Sequence, residues 1–138
     1  MRIKLVHNYN QNKVDISSIT IDRIQNIISN VDLRYRLSIP LKNRIERIIV
    51  TVILMNPAQA NLSISDKTVN KLIDYFYSYS DVEMQVKQLV VGNVIPIYSS
   101  HPSEVAIKLK ELNAANKLAQ VELKNIQEIN SIISNSDK

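Results

Sequence analysis

Apolar positions along the chain recur mostly at steps of three and four. Behind Ser17, Ser18 and Thr20 stand Ile21, Ile24, Ile27, Ile28 and Val31, a spacing that predicts a first helix capped by one of those hydroxyl residues. A second helix is expected from Ser38 to Pro40 onward, with Leu41, Ile45, Ile48, Ile49, Val52 and Ile53 as its stripe and Asn56-Pro57 as its stop. Taken alone, Ile48 to Leu54 is β-branched enough for a buried strand, but the spacing before it favours helix. Ser65 and Asp66 predict the cap of a third helix carrying Val69, Leu72, Ile73 and Phe76. Asp81 is read as the cap of a fourth, with Val82, Val86, Leu89 and Val90 on one face and an end near Gly92 and Pro96.

The stretch SSHPSEVAIKLKELNAANKLAQVELKNIQEINSII is the most regular. Pro102 suits the first turn of a helix, and Glu104 answers the positive end of its dipole. Read in alternating steps, Val105, Leu109, Leu112, Asn116, Ala119, Leu123, Ile126, Asn130 and Ile133 form a heptad seam with Leu109, Asn116, Leu123 and Asn130 at the a positions. Buried asparagines there would specify register and strand number. The plainer alternative is chance in an asparagine-rich chain. Charges at e and g are sparse, and Leu118, Val121 and Ile132 give the helix a second apolar face. The tail from Ser134 to Lys138 is expected to fray.

The expected fold is therefore all-α, four to five helices with a long coiled-coil-like C-terminal helix and a short strand or arm at residues 1–6. Residues 1–98 would form the helical bundle and 99–138 the oligomerisation or partner-binding helix, within one folding unit. Composition agrees: of 138 residues, only Gly92 is a glycine, and cysteine and tryptophan are absent. Few glycines argue against tight hairpins and phosphate-cradling loops, and no cysteine means no disulfide or thiolate metal site. No apolar run is long enough to span a bilayer, so the expectation is a cytoplasmic protein with no membrane partner.

The net charge of +4 favours acidic partners only mildly. It concentrates in LRYRLSIPLKNRIER, where Arg34, Arg36, Lys42, Arg44 and Arg47 are candidate nucleic-acid contacts, with a solvated helix face as the alternative. Tyr75, Phe76, Tyr77 and Tyr79 fit packing better than base stacking. The pair of helices around Ser80-Asp81 has helix-turn-helix proportions but few base readers. His7 and His101 lack carboxylates at metal-ligand spacing, and no acid-base pair or nucleophile triad is visible. No cofactor, metal or catalytic residue is expected.

Around His101, Pro102, Glu104, Val105, Ala115, Asn116 and Lys117, residues 99–130 resemble the central oligomerisation helix of small terminase subunits of tailed bacteriophages. The resemblance implies a non-enzymatic ring that binds viral DNA and stimulates a packaging motor. The expected function is a homo-oligomeric adaptor that binds nucleic acid, its seam formed by Leu109, Leu112, Asn116, Leu123, Ile126, Asn130 and Ile133. The alternative is a small viral or bacterial protein-binding module, an inhibitor, immunity protein or effector, acting on a protein partner through helical faces.

Overall fold

The computed structural model describes residues 6–45, 48–78 and 85–138, and it corrects the fold class: the chain is α/β, not all-α. Four strands, β1 (Thr20–Ile28), β2 (Val31–Pro40), β3 (Ile48–Leu54) and β4 (Val86–Asn93), form one mixed sheet in the order β1-β2-β4-β3. The first two pairings are antiparallel, and β3 runs parallel to β4. Helix α1 (Lys67–Ser78) connects the parallel pair, and α2 (Pro102–Ala114) and α3 (Leu118–Ser134) close the chain. The expected arm at residues 1–6 lies outside the described residues up to Leu5, as do Ser80 and Asp81 of the expected helix-turn-helix.

Each misread segment has a physical explanation. The expected first helix is β1, whose pairing with β2 slips between Asp22 and Arg23 and again between Ile24 and Ile28. Bulges break the period of two, so the apolar residues of a bulged strand can fall at spacings that imitate a helix. The expected second helix is the end of β2, a turn, and β3; Ile45 of its proposed stripe is 89% exposed. Ile48 to Leu54 are a β-branched outer strand, half-buried along most of its length and buried at Val50. The expected fourth helix is β4, buried at Val86, Leu89, Val90 and Val91.

Scarce glycine does not exclude hairpins here, because asparagine takes its place. Asn26, Asn30, Asn43 and Asn116 all have φ between 51° and 63°, the left-handed region that asparagine enters more readily than other side-chain-bearing residues. Asn30 turns β1 into β2, and Asn26 sits at the second slip. Asn116 answers the puzzle of asparagine in the heptad stripe. With φ 58° it ends α2 after Ala114, and α3 starts afresh at Leu118. The long coiled-coil helix is thus two shorter ones, and its seam is not continuous. The single glycine serves contact rather than a turn: a Cβ on Gly92 would stand 2.7 Å from Ile132 Cδ1, so the tip of that side chain would have to move aside.

Two cores flank the sheet. One packs Leu37, Ile39, Leu89 and Val91 against Val69 and Ile73 of α1. The other packs Val31, Leu33 and Tyr35 against Leu112 of α2 and Val121 of α3. Leu33, Tyr35 and Leu37 would share a face in a regular strand. They do not, because Asp22 pairs with Arg36 and Arg23 with Arg34, which leaves Tyr35 as the extra residue of a bulge. Beyond the bulge the faces exchange, and Arg34 turns toward the loop that leads into α1.

The tail does not fray. Thr51 N–H donates to Lys138 O (2.8 Å), Asp137 N–H to Ile49 O (2.9 Å), and Ile49 N–H to the Asp137 carboxylate (2.9 Å). Residues 137 and 138 thereby cover the outer edge of β3.

The role of Asn116 is testable by substitution. Asn116→Gly should leave stability within about 0.5 kcal/mol, whereas Asn116→Ala should cost about 1 kcal/mol, because only glycine relieves the left-handed strain. Urea unfolding midpoints measure the difference; equal costs would mean that the turn does not hold residue 116 at positive φ.

Candidate functional site

The parallel strands β3 and β4 end side by side, and the segments leaving them, residues 55–66 and 94–101, meet over the bulge of β2. In open α/β sheets this carboxyl end is where ligands are usually held. The Asn56 side-chain amide ties the two segments together, donating to the carbonyls of Ile97 (3.2 Å) and Ser99 (2.9 Å).

Arg34 lies beneath them with no exposed surface. Its Nη1 donates to Ala60 O at 2.8 Å, and its Nη2 reaches Asn93 Oδ1 at 3.4 Å. The Asn93 amide returns a bond to Arg34 O at 3.0 Å, and Nε has no partner. The Tyr98 ring lies 5.6 Å from the guanidinium carbon, and its hydroxyl donates to the same Ala60 oxygen at 2.9 Å.

Asp66 holds the backbone on the other side of the Ala60 Cα. Its Oδ2 accepts from Ala60 N (3.0 Å) and Gln59 N (3.2 Å), while Oδ1 accepts from Val69 N (2.8 Å) and so caps α1, as the sequence predicts. Arg34 and Asp66 are therefore two buried charges that both hold the backbone of Ala60, one on its carbonyl and the other on its N–H, through adjoining peptide groups. Tyr9 fastens the next residue, its hydroxyl donating to Asn61 O at 2.6 Å.

Burial lowers the Arg34 guanidinium from its ordinary value, opposed by the nearby Tyr98 and Asp66, yet an arginine side chain stays charged throughout the range in which proteins fold. Burial likewise pushes both phenols, Tyr9 and Tyr98, upward. These groups hold the loop in place and are not poised to exchange protons near neutrality.

Above the clamp opens a polar pocket of about 250 Å³. Ala58, Gln59 and Asn61 of the fixed loop form one wall, Arg23 and Gln25 of β1 and Asp32 of β2 another, and Tyr98 a third. Arg23 and Arg34 are cross-strand partners, so the bulge that buries the one sets the other beside the pocket.

The basic stretch does not form one surface. Arg34 is buried, and Arg36 sits on the α3 face with Nη1 3.3 Å from Glu128 Oε1. Lys42 is exposed in the turn after β2. Arg44 stacks 4.0 Å from the Tyr77 ring and donates to the Tyr77 carbonyl. Arg47 lies outside the described residues. A strand and a turn, not a helix, carry the described members of this stretch.

The proposed seam is dispersed too. Leu112 is buried and Leu109 half-buried, whereas Leu123, Ile126, Asn130 and Ile133 are exposed. The asparagine that is buried on α3 is Asn125, between Val121 and Ile132 on the second apolar face. Among the described residues there is no group of three histidines or carboxylates able to hold a metal, and no helix long and apolar enough to cross a membrane.

Fold and site together define an α/β protein with a clamped loop at the carboxyl end of a parallel strand pair. The chain belongs to the family described as Protein of unknown function (DUF1643), which matches residues 34–138. The matched span opens at Arg34 itself and takes in Ala60, Asp66, Asn93 and Tyr98, leaving β1 and Tyr9 outside. No curated protein and no solved structure matches the chain. No likeness to terminase subunits emerges, and the phage, DNA-binding and coiled-coil expectations find no support in the fold or in this family.

Two outcomes test the clamp. Asp66→Asn keeps a capping side chain but removes the charge that answers Arg34, and should cost about 2 kcal/mol of stability. Adding Arg34→Met should then cost less than it does alone, a coupling visible in a double-mutant cycle of urea titrations; strict additivity would mean that the two charges do not interact.

The phenols set the alkaline limit. Because the folded state keeps Tyr9 neutral above its unfolded pKa of about 10, its contribution is complete below that pH and lost above it, by up to about 1.4 kcal/mol per pH unit. Tyr9→Phe should flatten the fall in unfolding free energy between about pH 10 and 11.5; an unchanged slope would assign the loss to other groups.

Proposed function

We propose that the chain is a binding protein for a small zwitterionic molecule, of the size and charge pattern of a free amino acid, rather than an enzyme. The observation that carries this reading is the pocket over the Ala60 clamp, in which a cation, Arg23, and an anion, Asp32, share walls with the amides of Gln25, Gln59 and Asn61. Opposite charges with several neutral donors and acceptors suit a ligand that carries both signs.

Size narrows the class. A volume of about 250 Å³ lies below the range of roughly 300–1,000 Å³ usual for drug-sized ligands, which disfavours nucleotides and cofactors and leaves room for a compact metabolite. The clamp makes such a site effective, because a loop already fixed by Arg34, Asp66 and Tyr9 loses little further freedom on binding. Raised phenols and a permanently charged guanidinium favour binding over proton transfer.

Titrating the ¹⁵N-labelled protein with the common amino acids, each to about 10 mM, tests the proposal, with inorganic phosphate and simple amines as controls; millimolar affinity is the weak end of specific binding. At least one amino acid should shift the amides of Gln25, Gln59 and Asn61 saturably. Arg23→Gln and Asp32→Asn should each weaken it about tenfold, the effect of about 1.4 kcal/mol. If no zwitterion binds, or either control binds equally well, the reading is wrong.

A further inference from the structure

The sheet face under α3 carries a smaller cleft, of about 150 Å³, where β3 and β4 begin and so at the far end from the zwitterion pocket. Strand alternation decides which side chains reach it. Leu37 and Ile39 of β2 and Leu89 of β4 point into the core on the α1 side, so Ser38 and Gln88, their neighbours in sequence, point to the α3 side. Ser38 stands opposite Val90, and Gln88 opposite Ile49, which brings three strands to the floor of the cleft. Ser131 and Asn135, at the end of α3, form the facing wall.

Several of these groups have hydrogen-bonding capacity to spare. Ser38 is only 5% exposed, and its hydroxyl, not sealed off from the cleft it lines, has no partner among the described residues. The Gln88 amide and the Ser131 hydroxyl likewise have none. Asn135 Nδ2 donates to Ser131 O at 3.0 Å, which leaves its side-chain oxygen as the free end. Arg36, at the rim, is already answered by Glu128 3.3 Å away, and the carbonyl end of α3 disfavours an anion. The cleft is therefore polar without net charge. A ligand that suits it is neutral and both donates and accepts at several points, with carbon between them to cover Ile49, Val90 and Ile132.

We infer that this cleft binds a neutral polyol of the size of glycerol, with one hydroxyl on Ser38 Oγ, the others on Gln88 and Asn135, and its carbon edge on Val90 and Ile132. A cavity of this volume takes a molecule of about six non-hydrogen atoms, which benzene and glycerol share. Water alone would meet the polar groups but leave the apolar floor wet, and a carbon chain displaces that water. This site is independent of the zwitterion pocket, and either can exist without the other.

The test is a titration of the ¹⁵N-labelled protein with glycerol and with 1,2-dimethoxyethane, which has as many non-hydrogen atoms but no donor. Glycerol should shift the backbone amides of Ser38 and Ser131 and the Gln88 side-chain amide saturably, half-way at about 10 mM, tenfold weaker than a millimolar site. The ether should bind about fivefold more weakly still, the worth of one net hydrogen bond. Ser38→Ala should weaken glycerol about fivefold and leave the thermal midpoint unchanged, because the hydroxyl it removes has no partner in the folded chain. Ser131→Phe, a change at an exposed position of α3, should fill the cleft and abolish the saturable shifts. Shifts that rise only linearly with glycerol, an equal response to the ether, or undiminished binding to either variant would leave ordered water as the occupant of the cleft and overturn the inference.

Discussion

A guanidinium with no exposed surface has to be answered inside the protein, and here the answer comes through the backbone on either side of Ala60 instead of a direct salt bridge. Arg34 pulls on the oxygen of Ala60 and Asp66 on its nitrogen, so the two charges grip adjoining peptide groups on either side of one residue. A direct pair would have satisfied itself and left the loop unattached. Routing the attraction through Ala60 makes the loop part of the pair, and the loop cannot leave without exposing two buried charges to an apolar interior. Asn93, Tyr98 and Asn125 extend this arrangement: Asn93 donates to Arg34 O in β2, Tyr98 to Ala60 O, and Asn125 to the carbonyls of Asn93 and Val94 at the end of β4.

The bulge at Tyr35 makes the arrangement possible. Without the extra residue, Arg34 would share a face with Arg36 and point at α3, where Glu128 already serves one arginine. One inserted residue lets a single strand supply apolar side chains to both cores and a cation to the loop. The cost is a ladder that slips between Asp22 and Arg23.

Helix α1 with its cap and the start of α2 were legible in the sequence, whereas the break between α2 and α3 and the sheet were not. Asp66 before an apolar stripe and Pro102 ahead of Glu104 are local signals, and local signals place α1 and the start of α2. The strands were hidden by two things that composition and period alone do not reveal. Bulges gave β1 a helical spacing, and asparagine supplied the left-handed turns for which glycine is the usual mark. The same confusion concealed the site. Arg34 reads as one member of a basic run because its neighbours in sequence are basic, while the partners that define it, Ala60, Asp66 and Asn93, lie 26 or more residues away. Asn125 was overlooked for the opposite reason: a heptad drawn through Asn116 and Asn130 assigns the wrong asparagines to the interior, although Val121, Asn125, Glu128 and Ile132 already trace the buried face at steps of four and three.

The covering of β3 by residues 137 and 138 bears on how copies of this protein behave at high concentration. An outer strand rich in isoleucine and valine is a template on which another molecule's strand can add, and repetition of that event is the beginning of aggregation. Here the hydrogen-bonding positions of Ile49 and Thr51 are occupied by the chain's own last residues, and the Asp137 carboxylate adds a charge at the place where a foreign strand would dock. Two residues with no part in either core thus occupy hydrogen-bonding positions at which a foreign strand would otherwise add.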